Sequence, residues 1–318
     1  FYPALLSTVL LIFSFYSSRA ESEPFQYSDK EKGDEAFSFR NLSHALLYYS
    51  NYLNEAKKNR DQNGMLDAYD KLLNINCIKG DKTKAVEIYK DALKNFSDLF
   101  QKNKELADSF NIYRAYIYII EGNYKDAGKI IEELSKEKHT ETIIFKRILE
   151  TKALLNALEQ KWTEAFSSYK ELASLSDDEK FRDDATTKGY FCILMSGEKE
   201  QMEKIKNEFP PDIAAIPSAK RPLKMLLLVK ENNLDDAMKY YTEQKKLISI
   251  PDPFWFYALY EFALALEKSD RIDEATNIAE SLNILADNEK DRESGYLLFI
   301  NLLKKTNSKE KFCEHAIN

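Results

Sequence analysis

From about residue 36 onward, apolar residues recur at spacings of three and four, which lines one face of an α-helix and does not alternate as a strand would. Ile112, Ala115, Tyr116, Ile119 and Ile120 form one such face, and Tyr257, Tyr260, Ala263, Leu264 and Leu266 form another. Each is followed by a second frame in which an alanine leads to apolar residues four and seven positions on. Ala127 leads to Ile131 and Leu134, Ala45 to Tyr49 and Tyr52, and Ala85 to Tyr89 and Ala92. Ala165 leads to Tyr169 and Leu172, Ala237 to Tyr241, and Ala275 to Ala279 and Leu282. These alanines stand 40, 42, 38, 72 and 38 residues apart, the longest gap holding a degenerate unit at Met202. Such a period excludes heptads and predicts repeated helix pairs.

Five residues before the marker stands a turn former: Gly80, Gly122, Gly197, Asn232 or Asp270. One helix is expected to stop there and the next to begin. Ala115, Ala153 and Ala263 fall opposite Ala127, Ala165 and Ala275, so paired helices are expected to approach closely through small residues. Two segments interrupt the pattern: Phe209-Pro210-Pro211 through Ile216-Pro217 to Pro222, and Ile250-Pro251-Asp252-Pro253. Both read as loops between repeats, since proline cannot continue a helix interior; the first is alternatively a bend between two halves of one stack.

The first segment differs. Residues 1–18 carry no charge, and Leu5, Leu6, Val9, Leu10, Leu11, Ile12 and Phe13 lie in an apolar run of the size of a signal-peptide core. Ser18 and Ala20 suit cleavage before Glu21. The expectation for residues 1–20 is therefore a signal peptide, or alternatively a membrane anchor through residues 1–18. Residues 21–35, polar and charged with Pro24 and Gly33, read as a flexible linker, and residues 36–318 as one helical repeat domain.

Composition narrows the class. With 8 Gly and 8 Pro in 318 residues, turn-rich β folds and Gly-looped nucleotide folds are disfavoured. A net charge of −7 argues against nucleic acid as partner, because phosphate binding needs a basic surface. Cys77, Cys192 and Cys313 are too scattered for a disulfide framework, and with His44, His139 and His315 they show no metal-ligand spacing. No phosphate-cradling loop, nucleophile elbow or Cys–His arrangement occurs. The acidic runs Asp177-Asp178-Glu179 and Asp183-Asp184 read as solvated surface. Neither an enzyme activity, a cofactor nor a metal is expected.

The small residue in a first helix, the turn, and the A-x3-Y frame of the second resemble the tetratricopeptide repeat family, over roughly residues 36–318. The family's Trp near the start of the first helix is missing, and Trp162 precedes a marker Ala instead. The resemblance implies an all-α α-solenoid of antiparallel helix pairs, about seven of them, forming a superhelix. It also implies a concave groove, lined by first helices, that binds a protein or peptide segment. Carried onto this chain, the groove positions are Asn74, Ile112, Tyr116, Arg147, Phe191, Tyr257 and Tyr260; packing between helices is the alternative use of these side chains. The family's carboxylate clamp is not expected, because Asp70 stands where a Lys is needed one turn before Asn74. The function expected is a non-enzymatic scaffold or adaptor, exported to the periplasm or another extracytoplasmic space. A sensory segment of a longer membrane protein is the alternative, and a eukaryotic secretory protein glycosylated at Asn41 and Asn95 is a third reading.

Overall fold

The computed structural model describes residues 28–39, 41–137, 142–210, 215–248, 253–286 and 289–306. The expected signal peptide or anchor, His139, Cys313 and His315 lie outside them. The described residues hold fifteen α-helices, one 3-10 turn and no strand. In chain order they are α1 Ser28–Ser38, α2 Leu42–Asn59, α3 Gln62–Lys79, α4 Lys82–Lys102, α5 Lys104–Ile120, α6 Tyr124–Lys136, α7 Thr142–Leu158 and α8 Trp162–Ser174. There follow α9 Glu179–Ser196, α10 Lys199–Glu208, α11 Arg221–Lys230, α12 Leu234–Gln244, α13 Pro253–Lys268, α14 Ile272–Leu285 and α15 Glu289–Lys305. The fold is all-α: α1–α2, α3–α4, α5–α6, α9–α10, α11–α12 and α13–α14 pack as consecutive pairs, with α15 on α14.

The described residues divide into two compact units, those up to Leu155 in one and those from Asn156 in the other. That division falls inside α7 and not at the proline-rich segment 209–222, where a bend was the alternative expectation. In the first unit each helix from α1 to α5 packs on its successor, and first helix α3 also packs on first helix α5. In the second unit the same holds, with α9 against α11 and α11 against α13. Contact between successive first helices, as well as along the chain, makes each unit a solenoid-type stack.

The turns explain why the pairs are regular. Gly80, Gly122, Gly197, Asn232 and Asp270 all take left-handed backbone conformations, and so do Arg60 and Gln160. At Gly80 the chain closes with two bonds: Gly80 N–H donates to Cys77 O and Asp81 N–H to Asn76 O. Asp81 then accepts from Lys84 N–H at the start of α4, so the helix end and the next helix start share four residues. The same paired bonds recur at Asn123, Lys161, Asn233 and Arg271. Short closed turns of this kind force each pair to run antiparallel.

The marker alanines Ala45, Ala85, Ala127, Ala165, Ala237 and Ala275 are fully buried, as are Ala115, Ala153 and Ala263. The 42-residue spacing from Ala85 to Ala127 reflects α4, which has 21 residues where α6 has 13. Proline falls where it is tolerated: Pro222 lies in the first turn of α11, and Pro253 opens α13.

The expected linker is corrected in part. Residues 28–35 are helical and belong to α1, which packs on α2. Its low apolar content hid it, because charged contacts rather than a hydrophobic stripe hold it in place.

Candidate functional site

The residues expected to line a groove lie on first helices, but six of the seven are buried. Asn74 on α3, Ile112 and Tyr116 on α5, Arg147 on α7, Phe191 on α9 and Tyr257 on α13 all retain 4% exposure or less. Their expected role as an open lining is therefore corrected: these side chains fill the space between helices. Tyr260, half-buried on α13 and stacked on Phe256 at 6.0 Å, is the one that keeps a surface.

In the first unit the structure brings Tyr116 and Arg147 into one polar cluster on α5 and α7, joined by Asp70 of α3. Arg147 Nη1 donates to Asp70 Oδ1 at 3.2 Å and to Ser109 Oγ at 2.8 Å. Its guanidinium lies 4.5 Å from the centre of the Tyr113 ring. Tyr113 in turn donates its hydroxyl to Asp70 Oδ1 at 2.8 Å. Burial works against the Arg147 charge, but Tyr113 and Asp70 outweigh it and hold the group above its ordinary pKa. Burial, with Glu150 nearby, pushes the Tyr116 hydroxyl well up. Asn74 Oδ1 is buried without a hydrogen-bond partner among the described residues. The cluster reaches water at Asp70, whose side chain is 22% exposed.

Phe191 and Tyr257 meet in the second unit. Their rings cross edge to face at 5.7 Å, and Phe254 approaches Phe191 at 5.8 Å in the same way. Tyr257 donates to Asp291 Oδ1 at 3.2 Å, and Asp291 is fully buried on α15. Lys188 on α9, 2% exposed, pairs with Asp184 at 2.9 Å, one turn back on the same helix.

One device recurs that the sequence pattern did not reveal. A buried tyrosine on one helix donates to an aspartate on another: Tyr49 to Asp34, Tyr69 to Asp91, Tyr113 to Asp70 and Tyr257 to Asp291. A phenol buried in a core needs a partner for its hydroxyl, and a carboxylate on a neighbouring helix supplies a strong one while fixing which helices meet. The signal that could have found them is an aspartate one helix away for Tyr49 and Tyr69 and two helices away for Tyr113 and Tyr257. Periodicity alone does not carry it, since the separations are 15, 22, 43 and 34 residues.

Cys77 and Cys192 are buried, and burial raises both thiols, Cys77 to about 12. Among the described residues no group of His, Cys, Asp and Glu could hold a metal ion, and no helix is long and apolar enough to cross a membrane. His44 is exposed and sits beside Asn41, which caps α2 by accepting from His44 N–H. No protein-family model matches the chain, and no curated protein matches it.

Proposed function

We propose that the chain is a non-enzymatic protein–protein interaction scaffold of the cell envelope, a tetratricopeptide-type array that binds a protein segment on the face formed by its first helices. The observation that carries the reading is the stacking of first helix on first helix, α3 on α5, α9 on α11 and α11 on α13. Within each unit, stacking of that kind lays successive first helices side by side, which suits an extended or helical peptide.

On that face Tyr260 is the side chain we assign to contact. It is half-exposed, held by its stack on Phe256, and large enough to anchor a partner. Export rests on the apolar run and small-residue pair of residues 1–20. The partner class is a protein or peptide, with no cofactor, metal or nucleic acid required.

The test is photo-crosslinking in the native compartment from position 260 on α13 and from position 239 on second helix α12, where Lys239 is exposed. A discrete protein captured from 260 and absent from 239 supports the reading. Capture from 239 alone places the working surface on the second helices and overturns it.

A further inference from the structure

We propose that the face of α2 and α3 covered by α1 is a recognition site for a short charged helix, with α1 as its resident, displaceable occupant. The seat draws Asp67 and Lys71 from first helix α3 as well as tyrosines from α2, but its test reads binding of residues 28–38 and not capture at position 260, so the two proposals fail separately.

α1 cannot hold itself. It has 11 residues, Ser-Asp-Lys-Glu-Lys-Gly-Asp-Glu-Ala-Phe-Ser, with a glycine in the middle, and a helix that short is marginal in water. Its one fully buried residue is Gly33; Ala36 and Phe37 are half-buried. What the seat supplies is therefore mostly polar and aromatic.

The seat is specific in three ways. Gly33 rests on the Tyr49 ring so closely that a Cβ there would lie 2.5 Å from Tyr49 Cε1. Asp34 Oδ1 accepts from Tyr49 at 2.6 Å and from Lys71 at 2.8 Å. Lys30 pairs with Asp67 at 3.0 Å, and Lys30 and Lys32 each lie 5.9 Å from a ring centre, those of Tyr52 and Tyr48. Three tyrosines on α2 and two opposite charges one turn apart on α3 thus read a base, then a residue without a side chain three positions later, then a carboxylate. The occupant that fits is a helix with Lys, Gly and Asp in that order.

Exchange follows from the same contacts. The Lys30–Asp67 pair keeps 35% and 20% side-chain exposure, so salt screens it and water competes for it.

The experiment uses the full chain with Gly33→Leu, in which the larger side chain cannot sit on Tyr49 and α1 leaves its seat. The probe is a fluorescein-labelled peptide of residues 28–38, followed by anisotropy. Saturable binding to Gly33→Leu is expected, about tenfold or more weaker binding to the unmodified chain whose seat is occupied, and loss of binding near 0.5 M salt. A second variant, Lys71→Asp, should prefer a peptide carrying Asp34→Lys over the native peptide. Absence of saturable binding to a Gly33→Leu chain with unchanged circular dichroism overturns the proposal. If Gly33→Leu does not fold, equal affinity of Lys71→Asp for the two peptides overturns it instead.

Discussion

Arg147 and Asp70, separated by 77 positions in sequence, lie on first helices α7 and α3 and meet at 3.2 Å. The pair is asymmetric: the Arg147 side chain is 5% exposed and that of Asp70 22%. Losing the carboxylate removes the anion that faces a buried cation, so Asp70→Ala should cost about 3–5 kcal/mol. Glu87→Ala, which removes a widely exposed partner of Lys84, should change stability little. Urea unfolding of both variants checks this, and equal midpoints would contradict it.

The tyrosine–aspartate ties make a second expectation. Tyr113→Phe keeps the ring in its packing site and removes only the hydroxyl that donates to Asp70. A hydrogen bond to a charged group contributes about 1.5–3 kcal/mol, and the substitution should lose that much. A loss below about 0.5 kcal/mol in denaturant titration would show that the tie is incidental.

Ala127 is fully buried on α6, whereas Lys125 is exposed two residues away. Ala127→Arg forces a large cation between helices and should cost several kcal/mol, against about 0.5 kcal/mol or less for Lys125→Ala. Comparable melting temperatures for the two would show the repeat register to be wrong.

At Gly80 the backbone has φ of 67°, and a Cβ there would meet nothing within 4 Å. Gly80→Ala therefore tests backbone conformation without a clash, and should destabilise by about 1–2 kcal/mol. Thermal unfolding reads it directly; an unchanged or raised melting temperature would exclude the left-handed turn.

Asp91 offers a pH test. Burial favours its protonated form, but the bonds from Lys57 and Tyr69 outweigh this and hold the carboxyl below its ordinary value. A lowered folded-state pKa contributes stability that is present above the unfolded value of about 4 and is lost as pH falls through the folded one. Asp91→Asn should thus be destabilised at neutral pH and converge on the unmodified chain between about pH 5 and pH 2. A difference constant over that range would contradict the assignment.

Much of the fold was legible in the chain because helix periodicity and turn chemistry act locally. Ala127, Ile131 and Leu134 share a face by spacing alone, and Gly80, Gly122 and Gly197 announce their turns by residue type. Gln160 takes the same conformation without that signal, so only the repeat frame could locate it, and Arg60, between two pairs, has neither signal. The site was harder to read. Family-like positions chose Arg147 and Tyr116 as groove contacts, yet their burial depends on which partners neighbouring helices bring, such as Asp70 and Ser109 for Arg147. α1 escaped for the same reason: a helix fixed by Asp34, Lys71 and Tyr49 has no stripe to detect.

The most direct test of a first-helix binding surface is a titration of the protein captured from position 260 against two variants of the full chain. Tyr260→Ser alters the half-exposed side chain on α13, and Lys239→Glu reverses an exposed charge on α12. Loss of a hot-spot aromatic typically costs 2 kcal/mol or more, so Tyr260→Ser should weaken binding about thirtyfold, with circular dichroism unchanged. Lys239→Glu should leave affinity where it was. Unchanged affinity for Tyr260→Ser, together with loss of binding for Lys239→Glu, would contradict the assignment.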